Sequence, residues 1–574
     1  MWISRQCVRL HYERTSAFGL GDLEGLDRES PARSAWVGAV NDAFVPIVRE
    51  DSPNWSVHVG SLWICSIWMS IDDIVYDVTS FLEQHPGGKE YLLLAAGRDC
   101  TDLFKSYHPF TNKPYAVLKK YAIGTLSSRQ FPKFKPDSGF YATLCKRVDE
   151  HFKKNGIDYK NPIPAFKLLA TMIPLYILFY CLVFTPVFEK VFPFLGSHAE
   201  ASHSLAWWAV KIVLALLFGW SQVMFLLHVM HDASHSSISH SESLWQLTGR
   251  FAAEAFIGSS MVSWHNQHVV GHHLYTNVFS ADPDLPVVRE GDLRLIAPQQ
   301  GNSWVYKYQH IWLPVLYSLL TLKSRLQDYG IHSSRMNGPI PVNPITSGQW
   351  IRLAVSKFNF IVLRLLIPMY FMSVTDVLAL FVVTELISGA YLAFNFQVSH
   401  VSEEAEFPVT DSIPASSSYM TKENYKVSIA DKPDDKSMNG INKFHGFRSK
   451  NLKSDLKAAE KTVDLERALS AKPAIHKQWD VEWAELQVRS SLDYAHDSAL
   501  CTWLCGALNY QTEHHLFPSV SQYLYPEIAP IVRKTCKEFN LPYNYVPGFW
   551  EAFMGHIKHL KKMAQDGKAY HPHY

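Results

Sequence analysis

The sequence predicts a multi-domain chain in which a small soluble α+β unit precedes an all-α body with four transmembrane helices and a cytosolic helical cap. Three observations carry that prediction. Apolar stretches occur in two pairs, each stretch long enough to cross a hydrocarbon core of ~30 Å as a helix. Ahead of them, a short region combines a strand pattern, a Pro-Gly-Gly turn and helix patterns without a long apolar run. Histidines, 27 in all, concentrate where apolar stretches end, with eight of them between His228 and His273.

In chain order, residues 1–54 carry Arg5, Arg9, Glu13 and Arg14 without an apolar core, which excludes a signal peptide and suggests a disordered extension. Residues 55–127 form the soluble unit, with a strand at Ile74–Val78, a turn at His85–Gly88 and short helices ending near Tyr121. Residues 128–403 form the membrane body. Its first pair of spans is Leu168–Phe188, without a charge, and Trp207–Leu227, with only Lys211. The second pair is Phe358–Thr375 and Val377–Val398. Leu244–Val262 and Ile311–Leu322 are apolar but shorter or amphipathic and are expected to lie in the interface. Residues 404–478 read as a polar, disordered insertion with one helix near Leu452–Leu469, and residues 479–574 return to a globular pattern. Lys133, Lys135, Lys146, Arg147, Lys153, Lys154 and Lys160 precede the first span, whereas residues 189–206 hold one Lys and no Arg. The positive-inside rule therefore puts the first segment in the cytosol, and four spans return the chain there.

Composition removes several function classes. The 54 Lys+Arg and 53 Asp+Glu nearly cancel, so the basic excess that nucleic-acid binding needs is missing. Eight cysteines with no CxxC pair do not make a disulfide framework. The mean hydropathy of −0.07 resembles a soluble protein only because apolar spans and polar segments average out.

The histidines form three clusters: His231-Asp-Ala-Ser-His235, His268-Val-Val-Gly-His272-His273, and Gln511-Thr-Glu-His514-His515. Residues four apart share a helix face, so His231 with His235, and His268 with His272, could each hold one metal ion. The adjacent His273 and His515 would then turn toward a second ion. Gln511 stands where another ligand is expected, and His400, just past the fourth span, is a further candidate. The four-span topology gathers all of them on the cytosolic side of the membrane. His228, His240 and His265 lack this spacing and read as core or supporting histidines, and His496, His556, His559, His571 and His573 as surface ones.

Imidazole suits zinc, copper, iron and nickel alike, so the clusters alone do not choose the metal. The N-terminal unit adds information. His85 in His-Pro-Gly-Gly and His108 in Tyr-His-Pro lie 23 residues apart, and two axial histidines would close both faces of a haem, leaving an electron carrier. An attached electron carrier points to a redox metal rather than zinc.

Trp68–Gly88, Ala96-Gly97-Arg98-Asp99 and Tyr107-His108-Pro109 resemble a cytochrome b5 domain, with His85 and His108 at its haem-ligating positions. The three histidine clusters resemble those of membrane fatty-acid desaturases. Gln511 in place of the first histidine of the third cluster is the mark of cytochrome b5-fused front-end desaturases. The resemblance covers residues 68–403 and 479–574. It departs at Trp55–Ser66, which is apolar where a cytochrome b5 has a polar helix, and at the insertion.

This resemblance implies haem b, and two iron ions held by His231, His235, His268, His272, His273, His514 and His515, with Gln511 and His400 completing the set and no catalytic residues beyond the ligands. It also implies O2-dependent removal of two hydrogens between an existing double bond and the carboxyl end of an acyl chain. That chain would be carried on phospholipid or CoA, and the electrons would come through NADH-cytochrome b5 reductase. An endoplasmic reticulum membrane location, with both termini and the histidine clusters cytosolic, completes the expectation. The second cluster, with three residues between its first His and the His pair, looks most like the Δ5 type. Δ4 or Δ6 fatty acid desaturases, a sphingolipid Δ8 desaturase and a lipid hydroxylase are the enzyme alternatives. A metal transporter is the alternative of another class, disfavoured because the spans hold only Lys211, Arg364 and Glu385 as charges. Arg364 and Glu385 lie at similar depth in the second pair of spans and are expected to form an ion pair or flank one cavity.

Overall fold

A computed structural model describes residues 67–126, 129, 131–196, 203–286, 293–408 and 478–566. The expectations for residues 1–54, for the start of the soluble unit, for a helix near Leu452–Leu469, and for His571 and His573 lie outside these residues. The chain divides into two compact units, one built around residues 67–104 and 111–133, the other comprising Lys105–Phe110, Phe134–Ser416 and Trp479–Tyr574.

In the first unit, strands β1 (Trp68–Ile71), β2 (Ile74–Asp77) and β3 (Ala122–Thr125) form an antiparallel sheet in the order β1-β2-β3. Asp72 and Asp73, with φ of 49° and 67°, close the two-residue β1–β2 hairpin in the left-handed conformation that short polar side chains tolerate. Ile71, Val78, Leu82, Leu92 and Cys100 are buried in this unit's own core. A turn of 3-10 helix at Thr79–Gln84 delivers His85 in extended conformation.

The second unit is helical. Three helices are long and apolar enough to span a membrane: α1 (Ile163–Phe184), α2 (Leu205–Phe225, continuing without a break to Ser234) and α5 (Val374–Gln397). Between α2 and α5 run α3 (Leu320–Ser334) and α4 (Ser347–Ile361). The expected fourth span, Phe358–Thr375, is helical up to Phe371, but a π turn at Val362–Leu366 separates α4 from Ile367–Phe371. Three helices, rather than the expected four, are long and apolar enough to span a membrane among the described residues. A helix break at Met372–Ser373, where the Ser373 side chain caps α5 by accepting from Asp376 N–H, makes the turn between them.

Helix α2 packs against both α1 and α5. A Cβ on Gly219 would lie 2.5 Å from the Thr384 carbonyl oxygen, and Ser388 Oγ donates to the Gly219 carbonyl at 3.0 Å, so the α2–α5 contact is a close backbone approach bridged by a hydroxyl. Lys211 is buried in α2 because its ammonium donates to the Leu182 and Val183 carbonyls at the end of α1, at 2.8 and 2.7 Å, and lies over the Phe188 ring. Glu385 does not pair with Arg364. It pairs with Arg325 of α3 and accepts from Thr321 Oγ1 at 3.1 Å. Arg364 is buried elsewhere, donating to the Tyr176 hydroxyl at 3.0 Å with its guanidinium 4.3 Å from the Phe218 ring centroid. The partner of Glu385 comes from a helix that depth-matching within the second pair of spans could not reveal.

The remaining helices close the unit: α6 (Gln511–Leu516), α7 (Tyr525–Glu538) and α8 (Phe549–Asp566). His556 and His559, expected at the surface, are buried with Ala552 and Leu560 along one stripe of α8. His556 Nδ1 donates to the Val401 carbonyl at 2.6 Å, and His559 Nε2 to that of Ile296 at 2.8 Å. His496, also expected at the surface, is partly buried, stacked on Tyr510 at 3.8 Å.

Candidate metal centre

Each histidine cluster is carried by a helix whose winding decides where the imidazoles point. His231 and His235 follow a π turn at Leu226–Met230 at the end of the long α2 helix. The second cluster lies in a helical run whose segment His265–His272 is itself π-wound. The third occupies α6, where Asp493, a buried carboxylate, accepts the Thr512 N–H at 2.8 Å and so pins the helix N-terminus. His400 follows α5 directly.

These elements bring all nine expected residues into one buried region, where they sort into two groups. His231, His235, His268 and His514 offer ligand nitrogens within 4.8 Å of one another, and so do His272, His400 and His515. His273 bridges them: with His514 and His515 it makes a third such set, its Nε2 3.1 Å from His268 Nε2 and its ring stacked on His515 at 4.2 Å. The expected pairing of His231 with His235 is seen. That of His268 with His272 is not, because π winding aligns residues five apart: His268 meets His273, and His272 turns to the other group. Gln511 joins the second group, with its amide 2.7 Å from His400 Nε2 and its Oε1 buried without a partner among the described residues.

Hydrogen bonds fix the tautomers of the second group. Each Nδ1 faces an acceptor: the Asp282 carboxylate at 3.0 Å from His272, the Ser490 carbonyl at 2.9 Å from His400, and Gln487 Oε1 at 2.8 Å from His515. With the Nδ1 atoms committed to these acceptors, the three Nε2 atoms converge, 3.2 Å between His272 and His400 and 3.1 Å between His515 and His400, and each can present a lone pair to a cation once His272 releases its second proton. Lone pairs at that separation repel, and a cation among them turns the repulsion into coordination. In the first group, His235 Nε2 and His514 Nε2 are buried without partners among the described residues. The donor set therefore fits metal ions in both groups.

Electrostatics agree. Burial first, and then neighbouring imidazoles, hold His235, His268, His273, His400, His514 and His515 well below the usual histidine range, so they stand neutral with nitrogen lone pairs to give. His272 differs. Burial opposes its charge, but the Asp282 and Asp284 carboxylates outweigh that and raise it to about 9, the field that also favours a metal cation at its Nε2.

Other histidines keep structural roles. His228 Nε2 donates to the Trp503 carbonyl at 2.7 Å, and the exposed His240 pairs with Asp158 at 2.8 Å. In the first unit, His85 Nδ1 lies 2.8 Å from the Gly88 carbonyl, which accepts its N–H and so leaves Nε2 as the coordinating nitrogen, a fit for an axial haem ligand. His108 lies in the Lys105–Phe110 segment that clusters with the second unit. Sequence reasoning missed the anchoring roles of Asp282, Gln487 and Ser490. Only Asp282 carried a signal, as part of Asp282-Pro283-Asp284 ten residues after His272.

A helical body with three membrane-length apolar helices, buried histidine groups able to hold metal ions, and a small α+β unit presenting an oriented histidine fits the class of membrane oxidoreductases. Comparison with known proteins narrows it. A family described as "Cytochrome b5-like Heme/Steroid binding domain" matches residues 63–127, and one described as "Fatty acid desaturase" matches residues 206–422 and 468–547. Delta(5) fatty acid desaturase A of Dictyostelium discoideum is 38% identical over 501 residues, covering 87% of this chain and 91% of the relative. Acyl-lipid (8-3)-desaturase B of the same organism is 36% identical over 87% of this chain and 91% of its own length, and Acyl-lipid (8-3)-desaturase of Mortierella alpina is 34% identical over 86% and 93%. The chain belongs to the fatty acid desaturase family and carries a cytochrome b5-like domain ahead of the desaturase domain.

Proposed function

We propose that this enzyme is a Δ5 front-end desaturase with two iron ions, one in each histidine group, and haem b on His85 and His108. The observation that carries the iron assignment is the convergence of His272, His400 and His515 Nε2 atoms beside the group of His231, His235, His268 and His514. The Δ5 choice rests on the relatives named Delta(5) and on the three-residue spacing in His268-Val-Val-Gly-His272.

When bound, the iron ions supply the oxygen activation that an unactivated C–H bond demands. The chain's own residues do the rest. Asp282, Ser490 and Gln487 hold protons on the Nδ1 atoms and keep the opposite nitrogens aimed inward. Burial of all eight histidines keeps bulk water away from them, so that the electrons delivered would serve O2 reduction coupled to oxidation of the acyl chain rather than side reactions with solvent. Gln511 Oε1 is placed to bind an ion or its water ligand beside His400. The acyl chain, on phospholipid or CoA, would be held along the apolar body, with electrons arriving from NADH-cytochrome b5 reductase through the haem.

The same reading places the protein in the endoplasmic reticulum membrane with its histidine groups cytosolic. Residues 347–371 supply the fourth crossing, supported by the exposed Ile351, Val355, Phe358, Leu366 and Tyr370 along them. The domain limits follow as 1–54, 55–127, 128–403, 404–478 and 479–574. Residues 404–408 belong with the body in the structure, since Ala405 is buried and Glu406 pairs with Arg489, and the desaturase family match skips residues 423–467.

Expression in a host without polyunsaturated fatty acids, fed with candidate acids one at a time, tests the function. A new double bond at the Δ5 position, seen by gas chromatography with mass spectrometry, is the expected result. A hydroxylated product, or a double bond on the methyl side of the existing ones, refutes it.

A further inference from the structure

The two histidine groups are built differently around their outer nitrogens. In the second group, all three Nδ1 atoms meet strong acceptors: a carboxylate (Asp282), a backbone carbonyl (Ser490) and a side-chain amide oxygen (Gln487). Among the described residues, His231 Nδ1 of the first group is buried without a partner, and the Nδ1 atoms of His235 and His514 meet neutral tyrosine hydroxyls, Tyr107 at 2.7 Å and Tyr525 at 3.1 Å. The intermediate His273 likewise has a buried Nδ1 without a partner among them. Anchored Nδ1 protons fix ring orientation before any ion arrives and raise the basicity of the opposite nitrogen, and Asp282 adds a negative charge that the first group lacks among these contacts.

We infer that the two metal positions are unequal: the site of His272, His400 and His515 holds its ion the more tightly, and Gln487 is the positioning residue that makes it so. Gln487 is fully buried on the helix Trp483–Arg489, and its Oε1 accepts from both His515 Nδ1 and Thr276 Oγ1, the latter at 2.7 Å. Thr276 Oγ1 also lies 2.8 Å from the His272 carbonyl, so one amide oxygen ties the third cluster to the end of the second. Gln487 touches no ligand nitrogen facing the ions. It acts through His515.

The inference rests on the proposed two-ion reading, and the experiment separates the two. Purified full-length protein is loaded with ferrous iron, its iron is counted by elemental analysis, and release to a coloured ferrous chelator is followed in time. The expected result is two phases of equal amplitude. His235→Ala should remove the fast phase and keep the slow one. Gln487→Leu should speed the slow phase by ~10–100-fold, the usual cost of losing a residue that supports a ligand, and leave the fast phase in place. Gln487→Glu, which keeps an acceptor oxygen at the same reach, should restore slow release, and it guards against reading a folding defect in the leucine variant as loss of an anchor. Release of both ions in one phase, or a slow phase unchanged in Gln487→Leu, overturns the inference while the two-ion reading stands. Failure of the wild-type protein to retain iron overturns both.

Discussion

At the scale of single residues, the histidines divide sharply by what their second nitrogen does. His400→Ala and His515→Ala should each abolish desaturation, by more than about 100-fold, and lower iron content, because each removes an inward nitrogen. His240→Ala, which removes an exposed partner of Asp158, should change stability by less than about 0.5 kcal/mol and leave product formation intact, as product assays and thermal melts can check. The buried imidazoles also set a pH dependence. A depressed native pKa means that the unfolded chain takes up protons first as pH falls, so the stability these groups contribute is present above about pH 6.5 and lost below it. His272 runs oppositely, contributing below about pH 6.5 and losing that contribution as pH rises through about 9. With six lowered groups against one raised, the melting temperature of iron-free protein should drop between about pH 7 and pH 5. A flat profile over that range would contradict the neutral-imidazole picture. That these nine residues would gather in one place was legible in the sequence. Their grouping was not, since spacing of four assigns His268 and His272 to one ion and the π-wound helix separates them.

At the scale of elements, close contacts rather than propensities hold the body together. A Cβ on Gly389 of α5 would sit 1.9 Å from the Ser318 carbonyl oxygen, a backbone atom that cannot swing aside. Gly389→Ala should therefore force the segment Tyr317–Leu319 away from α5 at a cost of about 1–3 kcal/mol or more, read as a lower melting temperature in detergent. The buried Arg325–Glu385 pair ties α3 to α5. Arg325→Met leaves Glu385 buried and uncompensated and should cost about 3–5 kcal/mol, whereas the double change Arg325→Met, Glu385→Met should recover much of it. Three of the long helices were plain from apolar run length alone. The interruption at Val362–Leu366 was not, because a π turn leaves no mark in hydropathy when apolar residues fill it.

At the scale of the whole molecule, two units have separate cores, and candidate metal ligands lie in both. Ions that bind only the folded body stabilise it by mass action. Removing iron with a chelator should lower the unfolding temperature followed by far-ultraviolet circular dichroism, to which the helical body contributes most, and an unchanged transition would count against ions in the histidine groups.

Apolar run length, the positions of Gln511 and the histidines, and the two motifs around His85 and His108 are local properties, so the sequence by itself determined the family, the candidate ligands that gather and three of the membrane helices. The tertiary structure decided which side chains face one another. It paired Glu385 with Arg325 instead of Arg364, buried His556 and His559, and recruited Gln487 and Ser490 behind the ligands. The reason is that burial and hydrogen bonding depend on distances between residues far apart in the chain, here 28 positions for Gln487 and His515 and 90 for His400 and Ser490, which no local periodicity encodes.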